Sequence, residues 1–537
     1  MATTFVKQTA TGDGSGSDAS NCMSLSTFNS TSFSAGDEVL FIGSFTGTID
    51  IDSGGTSGNP ITYKGVNASG VDDGTKATVT QSSTDHTIRI DANHVLVENF
   101  ESSKTGFGNY SCFAVSGGIS NNSDADDSVH LRDCVAVSNN GNGDGFAIAG
   151  AGSSTTKATF TRCEARAITG AGDFGFANFV DQESYLVDCT STSACQVPIG
   201  CVGDLCDITG GTFECGGAGA DVVAVDGGSL TRARNATFIA GGSGTSANIF
   251  STSSGEVNRI ELTNCTMTVN SSSTGICLVK GLSGSGIFIT GGTINLNSAP
   301  STFMEIVDNT AVIEMTGVTV NMNSGGSRGI RAATSGGTVK IHRCEFNFSG
   351  STDTSYAQLQ VRSTSGTAVH QFIGNVFRDA SSSLSECIQI SSGAVGEITI
   401  ANNTFYNFRS GMNVIENAGA NSSATFNIDN NLFVDCAGTT LSSTTNVDNM
   451  RNNGFDNSGS TFGTNPVSGT AVFTDEAGND FSLTSDSDFT RGGFEWTDIE
   501  TFTDFSGTRT FGDVIQDAGL GDNLILESPE TYFTAFR

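Results

Sequence analysis

The chain has 537 residues, 15% of them charged, and a formal net charge of -32. So acidic a chain would repel a phosphate backbone, and we expect no nucleic-acid partner. The 68 Gly and 5 Pro residues argue against a disordered, proline-rich chain. No apolar run approaches the length of a membrane span, so we expect no membrane partner.

Residues 1–35 are rich in Gly, Ser and Thr, and we predict that they form an irregular N-terminal cap with a short helix near Cys22–Phe28. Met1–Lys7 contains no basic segment followed by an apolar core, so no secretion signal is predicted. We therefore expect the chain to fold in a cytoplasm.

Strands are predicted from residue 36 onward, beginning with Glu38–Ile42 and Gly47–Ile51. Between Leu131 and Phe433 a phrase then recurs every 22 to 31 residues. It reads apolar, polar, turn residue, small residue, polar, apolar. Two of its copies are Leu262–Met267 and Ile400–Phe405. A fixed period of this length is typical of stacked supersecondary units.

The third position of the phrase is repeatedly Asn or Gly, the residues that best tolerate a positive φ. We therefore predict a sharp corner there, between two short strands. The residues concerned are Gly210, Asn235, Asn264, Gly291, Gly317, Gly374, Asn402 and Asn430.

Several strands per repeat and no helical periodicity predict an all-β chain, a single-stranded right-handed parallel β-helix. We place its coils at residues 36–444. Residues 445–537 are predicted to be a C-terminal cap that also forms a subunit contact.

Cysteines recur at the fourth position of the phrase, at Cys134, Cys163, Cys189, Cys265 and Cys344. We expect them to stack as free, buried thiols that fill a column of small residues. A second group comprises Cys195, Cys201, Cys206 and Cys215. It has no CxxC spacing and no nearby histidine, so a metal site is the weaker interpretation.

The segments Gly36–Leu40 and Gly58–Thr62, with the Asn-bearing phrase, resemble the right-handed parallel β-helix superfamily. That superfamily includes pectate lyases, chondroitinase-B-like lyases and phage tailspikes. The resemblance implies the fold over most of the chain, and one fold hosts many activities. Leu359–Ser363 is similar to part of a chondroitinase-B-like motif, but the following residues differ, so no catalytic residue is transferred.

Candidate chemistry is predicted on an outward face, where side chains of successive coils line up. One predicted outward file is Phe250, Cys277, Glu305, Arg331, Gln360, Gln389 and Ile415. A neighbouring file is Asp226, Ser253, Lys280 and Asp308. The candidate catalytic residues are Lys280, Glu305, Asp308, Arg331 and Arg362.

Two enzyme chemistries fit these residues. A lyase needs a cation to hold a carboxylate and a base to remove the neighbouring proton. Lys280, Arg331 and Arg362 would supply these roles, oriented by Glu305 or Asp308. A hydrolase needs two carboxylates, and Glu305 with Asp308 or Asp221 with Asp226 are candidates. The competing interpretation is a set of ion pairs on a solvated face.

Two classes of function follow, and the sequence leaves enzymatic activity open. The first is a bacteriophage virion surface protein, a spike, fibre or decoration subunit. It would be a homotrimer that contacts other virion proteins and a host glycan. The second is a polysaccharide lyase or glycoside hydrolase acting on an acidic glycan, on a virion or extracellular. A secreted adhesin is a third alternative. No cofactor is evident, and calcium is the candidate ion.

Overall fold

The computed structural model describes most of the chain, in segments separated by gaps. The described residues are 1–105, 110–116, 128–138, 143–149, 156–169, 173–179, 182–216, 221–226, 229–241, 248–252, 257–270, 275–279, 285–297, 302–306, 311–323, 328–332, 337–348, 357–362, 366–378, 386–420, 423–464, 466–475, 480–484, 487, 489, 501–504 and 507–510. They form two compact units, unit 1 (Met1–Leu282) and unit 2 (Ser283–Arg537).

Each unit is a parallel β-solenoid of the right-handed type, in which a coil contributes one strand to each of three sheets, A, B and C. The predicted fold class is therefore confirmed. In unit 1, sheet A contains Thr3–Lys7, Met23–Ser24, Glu38–Ile42, Ile61–Val66, Val95–Glu98, Ser128–Arg132, Thr156–Thr161, Gln182–Val187, Leu205–Thr209, Leu230–Arg234 and Arg259–Thr263. Sheet B contains Ser44–Thr46, Ala77–Gln81, Phe100–Lys104, Val135–Ser138, Glu164–Arg166, Thr190–Ser191, Thr212–Cys215, Thr237–Ala240 and Thr266–Val269. Sheet C contains Ile49–Ile51, Ile88–Ile90, Phe113–Ser116, Phe146–Ala149, Phe174–Asn178, Val197–Cys201, Val223–Val225, Asn248–Thr252 and Gly275–Val279.

Unit 2 repeats the plan. Its sheet A contains Gly286–Thr290, Val312–Thr316, Thr338–His342, Val369–Ile373, Glu397–Ala401, Thr425–Asp429 and Asn449–Arg451. Its sheet B contains Thr293–Leu296, Thr319–Met322, Glu345–Asn347, Val376–Arg378, Thr404–Tyr406, Leu432–Val434, Gly454–Asp456 and Val467–Ser468. Its sheet C contains Thr302–Ile306, Arg328–Ala332, Ala357–Val361, Glu386–Ile390, Asn413–Asn417 and Thr439–Leu441. Two antiparallel pairs follow, Phe473–Asp475 with Asp480–Leu483 and Thr501–Asp504 with Gly507–Thr510.

The predicted caps contain strands of the stack. Thr3–Lys7 pairs in parallel with Glu38–Ile42, so sheet A begins inside residues 1–35. Asn449–Arg451 pairs with Thr425–Asp429 beyond residue 444. The predicted helix is present as Leu25–Phe28. The hydroxyl of Ser24 accepts a hydrogen bond from the backbone N–H of Thr27, the third residue of this helix. In the described part of the chain, no helix is long and apolar enough to span a membrane.

The corner between sheets A and B forms at the predicted position of the phrase. All eight predicted Asn and Gly residues have positive φ, for example 54° at Asn235 and 58° at Asn402. The same backbone conformation occurs at four corners that lack Asn and Gly, with φ between 51° and 56°, at Asp133, Arg162, Asp188 and Arg343. The corner geometry is therefore imposed by the stack, and Asn or Gly lowers its cost where present.

The residue after each corner begins a file that runs through the interior. In unit 1 this file is made of small residues, and we call it the cysteine file: Cys134, Cys163, Cys189, Gly211, Ala236 and Cys265. The predicted stacking of Cys134, Cys163 and Cys189 is confirmed. Each thiol donates to the carbonyl that opens the phrase one coil earlier, at 3.5 Å for Cys163 and 3.2 Å for Cys189.

In unit 2 the residue after the corner is asparagine on four coils, which form an asparagine ladder of Asn375, Asn403, Asn431 and Asn453, all fully buried. The predicted Cys344 occupies this position one coil before Asn375 and is also buried. The Nδ2 of Asn403 donates to the carbonyl of Phe372 at 2.8 Å and to Oδ1 of Asn431 at 2.9 Å. Its own Oδ1 accepts from the backbone N–H and the Nδ2 of Asn375, at 2.9 and 3.0 Å. The amide therefore uses all four of its hydrogen-bonding positions.

Phenylalanines stack beside these files and exclude water from the interior. In unit 1, Phe146 stacks on Phe113 at 4.8 Å and on Phe176 at 4.9 Å between ring centroids. In unit 2 the stack runs through Phe346, Phe377, Phe405, Phe433 and Phe455, with centroids 4.9 to 5.3 Å apart. These offset contacts repeat at the coil spacing and stabilise the stack beyond simple area burial.

Candidate functional site

The predicted site lies on the outward face of sheet C in unit 2. Backbone pairing places Glu305 beside Arg331, Arg331 beside Gln360 and Gln360 beside Gln389. The predicted adjacency of Glu305 and Arg331 is therefore confirmed. Their side chains lie outside the described part of the structure, so their adjacency is known from the backbone register.

The outward file differs from the prediction at both ends. Gln389 pairs with Glu416, whereas Ile415 pairs with the inward residue Ile388. Phe250 and Ile415 are both fully buried, so the prediction that they face outward is wrong. We call the corrected file, Glu305, Arg331, Gln360, Gln389 and Glu416, the sheet C strip.

The structure describes only some of the remaining predicted residues. Arg362 is half-buried and directly follows the strand Ala357–Val361, two residues beyond Gln360. Lys280 and Asp308 lie outside the described residues, so their predicted adjacency stays a prediction. Asp226 is exposed at the edge of sheet C in unit 1.

The described members of the sheet C strip bond to their neighbours. The Nδ2 of Asn413 donates to a carboxylate oxygen of Glu416, and Nε2 of Gln360 donates to the amide oxygen of Gln389. Each glutamine of that pair retains further hydrogen-bonding groups. The strip therefore combines carboxylates, a cation and amides on successive coils.

Asp221, a predicted hydrolase carboxylate, has a structural role. One of its oxygens accepts the backbone N–H of Asn248 at 2.7 Å, and the other accepts the hydroxyl of Ser251. These bonds tie one coil of unit 1 to the next. The pairing of Asp221 with Asp226 for hydrolysis stays a prediction.

Charged residues in unit 1 concentrate on the outward face of sheet A, where they form ion pairs. Glu261 accepts from Nε of Arg232 at 2.9 Å and from Nε of Arg259 at 2.6 Å. Burial acts to raise the pKa of Glu261, but the two arginines outweigh it and the pKa is lowered. Arg234 pairs with Asp207 at 3.1 Å. Such half-exposed pairs contribute little stability each.

Tyr185 belongs to the same face and is held by its neighbours. Its hydroxyl donates to Glu183 at 2.7 Å, and Glu183 also pairs with Lys157 at 3.2 Å. Burial, followed by the bond to Glu183, raises the pKa of Tyr185 to about 12. A phenol with so high a pKa stays protonated, so this face offers no tyrosinate base.

Metal binding has no support within the described segments, where no three His, Cys, Asp or Glu side chains are grouped to hold an ion. Cys201 and Cys206 are both fully buried. The candidate role of calcium stays a prediction.

Sequence reasoning missed a second outward file, on sheet B of unit 2. We call it the amide strip: Asn295, Asn321, Asn347, Arg378 and Tyr406. Each member directly follows the last apolar residue of the phrase. That position was available in the aligned repeats and would have revealed the strip.

Comparisons with known proteins concern the fold. No protein-family model matches the chain, and no curated protein matches its sequence. A mannuronic acid specific polysaccharide family 6 lyase from human gut microbiota is 11% identical, with 83% of this chain and 87% of that chain covered and a TM-score of 0.37. An alginate lyase from Paenibacillus sp. str. FPU-7 is 10% identical, with 57% and 91% covered and a TM-score of 0.32.

The pectate lyase Pel9A is 11% identical, with 93% of each chain covered and a TM-score of 0.23. Identities and TM-scores this low say nothing about what this chain binds or does. The predicted likeness to phage tailspikes stays a prediction. The described part of this chain is a parallel β-solenoid.

Proposed function

We propose that the protein binds an acidic polysaccharide along the sheet C strip and cleaves it by β-elimination. The observation that carries the proposal is the backbone register, which sets Arg331 between Glu305 and Gln360 on three successive coils. A guanidinium at this place would neutralise a uronate carboxylate and so acidify the neighbouring C–H. Glu305 would accept that proton. The electron pair of the broken C–H bond would form the double bond of the product, and the departing glycosidic oxygen would take a proton from solvent.

Among the residues of the sheet C strip, the register favours elimination over hydrolysis. A hydrolase needs two carboxylates within roughly 5–10 Å of each other. In the sheet C strip, Glu305 and Glu416 are separated by four coil spacings, roughly 19 Å at the usual distance between strands. An elimination needs one cation and one base, and these stand on adjacent coils.

Amides extend the strip beyond the charged pair. The Gln360–Gln389 pair would bond sugar hydroxyls on the coils that follow Arg331. Arg362 would meet a second carboxylate of the same chain.

The experiment is a screen of uronate polysaccharides in which unsaturated product is followed by ultraviolet absorbance. Arg331→Ala and Glu305→Gln are expected to lower kcat/KM at least 100-fold, because each removes a group acting in the transition state. The matched control is Arg232→Ala, which removes an outward arginine from sheet A of unit 1 and is expected to keep full activity. Absence of cleavage by the wild-type chain, or equal losses in the control, would overturn the proposal.

The virion assignment remains a second proposal without a structural observation of its own. It predicts a homotrimer by sedimentation and the chain's presence in purified particles by mass spectrometry. A monomeric protein that is absent from purified particles would rule out the virion role and leave the enzymatic one.

A further inference from the structure

The amide strip runs along five successive coils of sheet B in unit 2. Nδ2 of Asn321 donates to Oδ1 of Asn295 at 3.0 Å, and Nδ2 of Asn347 donates to Oδ1 of Asn321 at 3.0 Å. Backbone pairing then continues the file through Arg378 to Tyr406. Amides, a cation and an aromatic ring are thus presented in one line, outside the sheet C strip.

The amides of the strip keep hydrogen-bonding capacity for a ligand. A primary amide has two N–H donors and two acceptor positions. At the centre of the strip, Asn321 spends one donor and one acceptor position on its two neighbours. It therefore has one donor and one acceptor position left, the pair that a sugar hydroxyl needs.

Asn347 supplies a second indication of a ligand. Its side chain is only 8% exposed, and among the described residues no donor reaches its Oδ1. An unsatisfied buried amide oxygen costs free energy, and native structures usually satisfy it. A hydroxyl group of a bound molecule at this point would supply the missing donor.

The end of the strip adds charge and a ring. Arg378 is half-buried between the rows of Asn347 and Tyr406. Tyr406 is partly buried: its ring and that of Phe473 meet edge to face, with centroids 6.0 Å apart, and it packs against the apolar cluster of Leu432, Val434, Leu483 and Phe489. The exposed part of a ring held in this way offers an apolar surface to a sugar. Glu345, two residues before Asn347 in the same strand, would repel a second carboxylate.

We propose that the amide strip binds an extended polysaccharide in which carboxylates are separated by neutral sugars. Coils recur about every 4.8 Å, close to the length of one pyranose residue, so one sugar would lie over each coil. The strip offers one cation against several neutral positions, and the net charge of -32 disfavours a fully charged polyuronate. The inference shares with the proposed function the class of ligand, but it does not depend on cleavage.

The test compares affinities of the full chain for three polymers by isothermal titration. They are hyaluronan, which alternates a uronate with a neutral sugar, polygalacturonate and neutral dextran. We expect hyaluronan to bind most tightly. Arg378→Gln should weaken hyaluronan binding about tenfold, since a charge-assisted bond is lost, and leave any dextran binding unchanged.

Asn321→Ala should weaken hyaluronan binding several-fold. The matched control is Asn427→Ala, which removes an acceptor bonded to Asn449 at 2.7 Å on sheet A of the same unit, and it should leave binding unchanged. The urea midpoint of each variant verifies that it is folded.

The outcomes separate this inference from the proposed function. Glu305→Gln should lose cleavage and keep hyaluronan binding. No hyaluronan binding by the wild type, tighter polygalacturonate binding, or equal losses in Asn321→Ala and Asn427→Ala would overturn the inference whatever the cleavage assay shows.

Discussion

The cysteine file of unit 1 and the asparagine ladder of unit 2 occupy the same place in the repeat but solve its hydrogen-bonding problem differently. Both satisfy the carbonyl that opens the phrase one coil earlier, as Cys163 does for Leu131 and Asn403 does for Phe372. A thiol is a weak donor and fills space as a small apolar group. A buried amide is a strong donor and acceptor that must be fully paired. The same backbone therefore accommodates either a thiol or an amide at this position, but the stability lost on mutation differs between the two.

The largest effect is expected for Asn403→Ala. The change leaves the carbonyl of Phe372 and the amide groups of Asn375 and Asn431 short of partners inside the protein. We expect the unfolding free energy of unit 2 to fall by about 3 kcal/mol or more, as several buried groups become unsatisfied. Urea denaturation with hydrogen exchange measured in each unit tests this.

Asn427→Ala is the control for that prediction, because Asn427 is a half-buried, outward asparagine of the same unit. It should cost less than about 1 kcal/mol. If the two variants are equally stable, the ladder does not hold unit 2 together in the way described.

The next largest effect on stability is expected from His370, a fully buried residue of unit 2. Unlike the amides of the asparagine ladder, its ring has polar atoms without a hydrogen-bonding partner among the described residues. No described residue bonds either ring nitrogen, and burial lowers the pKa of His370 to about 4. As the pH falls below the ordinary histidine pKa of 6.5, the imidazole of His370 is protonated in the unfolded chain but stays neutral in the folded chain. Stability is complete above pH 6.5 and is lost as the pH falls towards 4.

We expect this loss to reach up to about 3 kcal/mol, and the His370→Val variant to lack it. His370 lies in the core row between Val339 and Ile398, so valine fits the apolar surroundings. Urea midpoints at about pH 7.5 and about pH 5 measure the difference. Equal pH dependence in the two proteins would contradict the assignment.

The smallest effect is expected in the cysteine file. Cys163→Ala removes a weak donor and a small volume, so the unfolding free energy of unit 1 should fall by only about 1 kcal/mol. Burial raises the pKa of the Cys163 thiol well above its ordinary value, which makes it a poor nucleophile. Iodoacetamide labelling of the native protein provides the check, and rapid labelling of Cys163 would contradict its placement.

The corners and the interior file were predictable from particular residues. Asn235, Asn402 and their equivalents mark the corners because a positive φ favours Asn and Gly. Arg162 and Arg343 stand at the same position of the phrase and adopt the same backbone conformation, because the stack imposes a positive φ on residues that do not themselves favour it. The cysteine file followed from spacing alone, since residues one repeat apart lie above one another.

The residues of the candidate site were harder to predict from the sequence. The alignment placed Ile415 on the outward file, whereas pairing selects Glu416. Connections between sheets B and C vary in length from coil to coil, so the repeat phrase does not determine the register of sheet C. A shift of one residue exchanges the inward and outward faces of a strand.

The sequence by itself determined the coil period, the corners and the alternation of apolar residues, because these are local properties of each repeat. Only the tertiary structure decided whether a polar residue of the repeat is buried in the interior or faces outward. Asn403 and Asn321 are chemically identical, yet one is sealed in the interior and the other faces outward. Only the stacking of coils supplies the partners on either side of each amide, because those partners lie some 26 to 31 residues away in the chain.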